Sequence, residues 1–162
     1  MENDNMQLEP GNAAPDFKLE GTNGPIGLAD FAGRRLLLYF YPKDDTSGCT
    51  REALDFTALL DEFGTAGVTV VGVSKDSVER HRKFAEKHDL RHLLASDPEG
   101  TTIEAYGAWV EKTLYGRKYM GIDRSTFLIG ADGRIEALWR KVRVKGHAET
   151  VLREARRLAG SA

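Results

Sequence analysis

The sequence predicts an α/β fold, a central mixed sheet flanked by helices on both faces, and three observations predict it. Two runs without polar alternation, Leu36–Tyr41 and Val68–Ser74, read as strands buried on both sides. Between them Ala53, Phe56, Leu59, Leu60 and Phe63 recur at helical spacing, so strand, helix and strand make a right-handed parallel crossover. Towards the C-terminus Ser125–Ile129 and Ile135–Val142 flank the turn residues Ala131-Asp132-Gly133-Arg134, an antiparallel hairpin that makes the sheet mixed.

The elements follow in order. Residues 1–12 lack periodicity and read as a loose arm. Asp16-Phe17-Lys18-Leu19 alternates like a short edge strand, Thr22-Asn23-Gly24-Pro25 is turn chemistry, and Ile26 with Leu28 supplies the partner of an N-terminal hairpin extension. Asp30-Phe31-Ala32-Gly33 is a short connection to the first central strand, which Pro42 stops. A helix from about Thr50 to Phe63 ends in the punctuation of Gly64 and Gly67. Asp76 or Ser77 caps the next helix, Val78 to His88, and Leu93–Ser96 is another short strand. Asp97-Pro98-Glu99-Gly100 leads into a short helix around Thr102–Tyr106. Residues 110–123, with glycines and charges between aromatics, read as a structured loop. Ala148, Val151, Leu152, Ala155, Leu158 and Ala159 form the cleanest apolar stripe of the chain and predict the last helix. No repeat or linker interrupts the pattern, so 1–162 is expected to be one domain.

Composition excludes several functions. With 23 Lys and Arg against 25 Asp and Glu, the net charge of −2 offers no global field for nucleic acid or an acidic membrane surface. No apolar run approaches the ~18 residues of a membrane span, and the polar start is unlike a signal peptide. A cytoplasmic protein is expected. The single cysteine rules out an internal disulfide.

That cysteine, Cys49, follows Pro42-Lys43-Asp44-Asp45-Thr46-Ser47-Gly48, where a strand ends and a helix begins. A lone cysteine is most often a small buried hydrophobe, but a polar loop precedes this one. A thiol there faces unpaired amides and the positive end of the helix dipole, which favour thiolate, the nucleophilic form. Bringing a thiol from pKa about 8.5 to about 6 requires roughly 3.4 kcal/mol. A helix terminus supplies up to about 2 kcal/mol, so a cation or direct hydrogen bonds must add to it. Arg124, at the start of a strand where open α/β sheets place their sites, stands out. Its ordinary reading is a surface arginine. Arg51 points outward on the first turn. Thr46 and Ser47 are natural helix caps, and the Thr46 hydroxyl could also orient an oxygen-containing substrate. Glu52, one turn beyond the thiol, opposes thiolate formation unless an arginine ties it up.

The four histidines read as solvent-exposed, and none has zinc-site spacing with Cys49. The alternation Arg140-Lys141-Val142-Arg143-Val144-Lys145 reads as the wet face of an edge strand rather than a nucleic-acid patch.

Pro42-x-x-x-Thr46-x-x-Cys49 resembles the active-site motif of the peroxiredoxins, thiol peroxidases on a thioredoxin-like fold. The stretches 39–46, 72–78, 118–129 and 139–142 are similar to the Q-type branch, also called bacterioferritin comigratory protein, and the similarity runs from about Gly11 to Leu158. The resemblance implies that Cys49 is the peroxidatic cysteine and that Pro42, Thr46 and Arg124 complete the site. It implies a peroxide substrate, an external thiol reductant (thioredoxin, glutaredoxin or a low-molecular-weight thiol), a monomer, and no metal or cofactor. Three positions depart from the family. Ser47 stands where a second proline is usual. Leu54 and Ala85 stand where its subgroups keep a resolving cysteine, so recycling by an external thiol is expected; the alternative is that Ala85 replaces a resolving cysteine and traps the reduced state. A rival from another class is a redox-sensing or holdase-like module oxidised once at Cys49.

Overall fold

The computed structural model describes residues 7–160, so the first half of the expected arm, residues 1–6, lies outside the described residues. From there the chain is tied down: Gly11 N–H donates to Ile135 O at 2.8 Å, Ile135 N–H returns a bond to Asn12 O at 2.9 Å, and Leu8 packs on the core. β1 (Lys18–Gly21) and β2 (Gly24–Gly27) form the N-terminal hairpin. β2 is the outer strand of the pair, because β1 also bonds β5 (Leu93–Ser96). The expected connection after it is a 3-10 turn, Leu28–Phe31, which buries Phe31.

β3 (Arg35–Phe40) is the axis of the sheet. β4 (Val68–Ser74) runs parallel on one side; on the other, β8 (Ser125–Ile129) runs antiparallel to β3, and β9 (Ile135–Trp139) antiparallel to β8. With β5 parallel to β4, the order is β2-β1-β5-β4-β3-β8-β9. The unbroken apolar run of β3 is explained by where its side chains go. Leu36, Leu38 and Phe40 pack with Ile103, Tyr106 and Phe127 on one face; Leu37, Tyr39 and Tyr41 pack with Phe56, Phe84 and Val151 on the other.

α1 (Ser47–Ala58), α2 (Leu60–Thr65), α3 (Val78–His88) and α5 (His147–Gly160) cover the second face, and α4 (Thr101–Ala105) lies on the first. The helix expected over about 50–63 starts three residues earlier and breaks at Leu59 (φ −101°, ψ 8°) into α1 and α2. Ser77 caps α3, its hydroxyl accepting the Arg80 N–H at 3.2 Å.

Two expectations are overturned. Residues 110–123 are mostly strand: β6 (Trp109–Leu114) and β7 (Arg117–Ile122) form a separate two-stranded hairpin. Its turn, Tyr115 and Gly116, has φ of 52° and 78°, the signature of a tight hairpin turn. Much of the ribbon stands in solvent, so no one-sided apolar alternation marks it. The last strand stops at Trp139, and the basic stretch 140–145 is a loop rather than a strand face. Arg140 lies 5.3 Å over the Phe127 ring and donates to Gly107 O and Tyr106 O.

Candidate active site

The sheet register brings the candidate residues together. Phe40, the last residue of β3, pairs with Ser125, the first of β8, so the end of one strand and the start of the next coincide. The loop Pro42–Thr46 leaves from that point and delivers α1, while Arg124 enters from the opposite direction. The Arg124 backbone is pinned from beyond β9, its carbonyl accepting the Val142 N–H at 2.9 Å.

The loop is held from beneath. Asp44 is buried, accepting the Tyr41 hydroxyl at 2.5 Å and facing His81 Nδ1 at 2.7 Å, while its own N–H donates to Asp76 at 2.8 Å. Asp45 adopts the left-handed region (φ 63°), and bonds from Lys87 (2.7 Å) and His88 (2.8 Å) hold its carboxyl below the usual range. Thr46 (φ −93°, ψ 158°) is the cap residue of α1, but its hydroxyl donates to Lys43 O at 2.9 Å and not to the helix. Both Thr46 and Pro42 are exposed.

The first bond within α1 runs from Thr50 N–H to Thr46 O at 2.8 Å, which leaves the amides of Ser47, Gly48 and Cys49 without a helical carbonyl to meet. Cys49 is the third residue of the helix and only 2 % exposed. It belongs to the core cluster that holds Tyr39, Tyr41 and Phe56, yet its sulfur meets a cation there: Arg124 Nη2 donates to Sγ at 3.4 Å. Of the four expected site residues, Cys49 and Arg124 are therefore in direct contact, and Pro42 and Thr46 lie on the loop that leads to them. Gly48 explains how the guanidinium comes so close. A Cβ there would sit 3.3 Å from Nη2, so glycine leaves the first turn open to the arginine.

The same guanidinium has a second partner. Arg124 Nη1 donates to Glu52 Oε1 at 2.7 Å, and Glu52 is 1 % exposed with Oε2 lacking any partner among the described residues. Burial pushes the Glu52 carboxyl up to about 7, against the downward pull of Arg124. Burial works against charge on Arg124 as well, yet Glu52 and Cys49 outweigh it and raise the guanidinium. Arg51 points outward as expected, with its side chain 70 % exposed.

The histidines correct the expectation of exposure. His81, His92 and His147 are buried, and His88 is half-buried against Asp45. His81 shares the inner face of α3 with Phe84. His92 bridges Tyr39 (2.8 Å) and Thr57 (2.9 Å), and burial pushes it down to about 4. His147 bonds Thr126 at 2.8 Å and packs edge-on to Phe56 and Trp139; burial, then nearby Arg124, brings it to about 4. Imidazole rings with satisfied nitrogens pack like aromatics, and no polarity scale read along the chain reveals those partners. The Asp44–His81 contact spans 37 residues and had no sequence signal. Glu52 had one: it sits one turn from Cys49 on the same helix.

Among known proteins the chain matches the AhpC/TSA family over residues 10–138. It is 47 % identical over 148 residues to the putative peroxiredoxin bcp of Coxiella burnetii, covering 91 % of this chain and 98 % of the relative. Peroxiredoxin Bcp of Bacillus subtilis is likewise 47 % identical, over 91 % of this chain and 94 % of its own. Peroxiredoxin Q of Xanthomonas campestris superposes with a TM-score of 0.86 at 44 % identity, over 94 % of this chain and 97 % of that one. A mutant PrxQ of Xylella fastidiosa superposes with a TM-score of 0.89 at 38 % identity, over 95 % and 99 %. With family match, sheet order and relatives in agreement along nearly the whole chain, this protein belongs to the AhpC/TSA family and, within it, to the Q-type peroxiredoxins, thiol-dependent peroxidases on a thioredoxin-like fold.

Proposed function

We propose that Cys49 is the sulfur that reacts with hydrogen peroxide and organic hydroperoxides, and that an external thiol returns it to the reduced state. The observation that carries this reading is the contact between Arg124 Nη2 and Cys49 Sγ at 3.4 Å, at a helix start whose amides are free. The thiolate attacks one peroxide oxygen in line, forming an S–O bond as the O–O bond breaks. Sulfur loses two electrons, giving sulfenic acid and an alkoxide or hydroxide. Arg124 and the first-turn amides stabilise the charge moving onto the leaving oxygen. Thr46 orients the peroxide and Pro42 shields the thiolate from water; their place on the loop into α1 supports both roles.

The sole cysteine supports recycling by a second molecule, since Leu54, at 36 % exposure, and half-buried Ala85 offer no thiol to resolve the sulfenic acid. Among the described residues no helix is long and apolar enough to cross a membrane. The likeness to Q-type peroxiredoxins along nearly the whole chain supports the rest of the reading: a monomeric cytoplasmic protein of one domain that meets peroxide and a thiol reductant (thioredoxin, glutaredoxin or a small thiol). The test is peroxide consumption with excess reductant by the wild type and Cys49→Ser. Sustained turnover that vanishes in the variant is expected. Equal rates in both, or a single stoichiometric oxidation of the wild type with every reductant offered, would overturn the assignment, the second in favour of a sensor.

A further inference from the structure

One guanidinium serves two acidic side chains at the bottom of this site. Arg124 donates through Nη2 to Cys49 Sγ at 3.4 Å and through Nη1 to Glu52 Oε1 at 2.7 Å, and Glu52 Oε2 is buried without a partner among the described residues. We propose that Glu52 carries a proton while Cys49 is a thiolate, and gives it up when Cys49 is oxidised, so that Arg124 keeps one anionic partner throughout the reaction. This rests on the assignment of Cys49 as the oxidised sulfur.

Among the described residues, no cation other than Arg124 acts on Glu52. Tyr39, from β3, is held neutral by burial, with Glu52 and Cys49 adding to the effect. His147, from α5 beside Arg124, is neutral at ordinary pH. Asp55, further along α1, adds only negative potential, and its own partner Arg51 is 4.0 Å away and directed to solvent. Two anions on one guanidinium in a dry cluster leave one charge uncompensated, and a buried unpaired charge is far more costly than a neutral carboxyl. The two acids therefore compete for one counter-charge. The upward push of burial on Glu52 agrees with this. With Oε1 engaged by Arg124, the proton resides on Oε2, where an unsatisfied neutral hydroxyl replaces an unsatisfied charged oxygen.

The proton and charge balance is closed. Thiolate and neutral Glu52 meet a hydroperoxide; the S–O bond forms, the O–O bond breaks, and a neutral sulfenic acid and an alkoxide result. The alkoxide acquires a proton and Glu52 releases one, so negative charge passes from sulfur to carboxylate. Reduction by an external thiol reverses the exchange: the thiolate returns and Glu52 takes up a proton. Glu52 touches Arg124 and not the peroxide in this scheme, so it is a positioning residue that also stores the proton.

Infrared difference spectroscopy of the reduced and peroxide-treated protein tests this, in enzyme labelled with 13C-glutamate and held slightly below neutrality. Thiolate absorbance and intact mass are read on the same samples. The expected result is an isotope-shifted C=O stretch of a protonated glutamic acid in the thiolate form, missing in Glu52→Gln, and lost when Cys49 gains one oxygen. If Glu52→Gln does not fold, the isotope shift still marks the band as glutamic acid in the wild type. A thiolate form without that band, or a band unchanged after complete oxidation of Cys49, overturns the proposal. Should the mass show no oxygen on Cys49, the assignment of that sulfur fails first, and the proton exchange with it.

Discussion

At the scale of single residues, Arg124 is the contact on which the account turns. Removing the guanidinium in Arg124→Ala strips Cys49 Sγ and Glu52 Oε1 of the donor they share. We expect peroxide oxidation of Cys49 to slow by about a hundredfold, the size of effect found when one preorganised donor is lost. An unchanged oxidation rate in stopped-flow would remove Arg124 from its role. Gly48→Ala probes the same contact more gently. Its Cβ would meet Nη2 at 3.3 Å, so the guanidinium must retreat by a few tenths of an ångström. Oxidation is expected to slow several-fold in stopped-flow while the thermal midpoint holds or rises, because alanine is the better helix former; an unchanged rate would mean that the contact has slack. Cys49 and Arg124 were legible in the sequence because each stands at the end of an element with a recognisable pattern. Buried Glu52 was legible only conditionally, since its spacing from Cys49 places it on the right face but says nothing of its partner. His81 was misread, because a ring with satisfied nitrogens looks polar in sequence and packs as core.

At the scale of elements, the start of α1 decides how well the loop is held. Thr46 is extended at φ −93° and ψ 158°, the conformation that a following proline demands, and Ser47 is the first helical residue, where proline fits without losing a hydrogen bond. Ser47→Pro is therefore expected to stabilise the protein by about 0.4–1 kcal/mol in denaturant titration, by restricting the unfolded chain. Destabilisation would show that the loop needs the serine. The strands β3, β4 and β8 were legible because burial on both faces leaves continuous apolar runs. The β6–β7 hairpin was not, since a ribbon wet along much of its length carries no one-sided alternation. The overlong helix prediction has a related cause: the apolar spacing continues through Leu59 and Leu60, while the backbone turns there.

At the scale of the whole molecule, buried ionisable groups make stability depend on pH in opposing directions. His92 and His147 sit near 4 in the folded state, below the ordinary histidine value of 6.5, so between these values the unfolded chain binds more protons and stability rises with pH. Glu52 sits near 7, above 4.5, so over that window the folded chain binds more protons and stability falls with pH. Two histidines outweigh one carboxyl, and the thermal midpoint is expected to fall as the pH drops from about 6.5 towards 4. In Glu52→Gln the opposing contribution is gone, so the same profile should be steeper. A flatter profile in the variant would contradict the placement of Glu52 as a buried, high-titrating acid. The mixed sheet with helices on both faces was legible as a whole, because every central strand announced its own burial. The long-range contacts that link α3 to the active-site loop were not, because they pair residues with no common pattern.

The most direct measurement is peptide mapping by mass after a single equivalent of hydrogen peroxide. The chain carries its own competitors, three methionines, of which Met120 is 49 % exposed, against a cysteine only 2 % exposed. An activated sulfur at Cys49 should take the oxygen despite its burial and lose it again on addition of a thiol. Oxygen found on Met120 with Cys49 untouched would contradict the account at its centre.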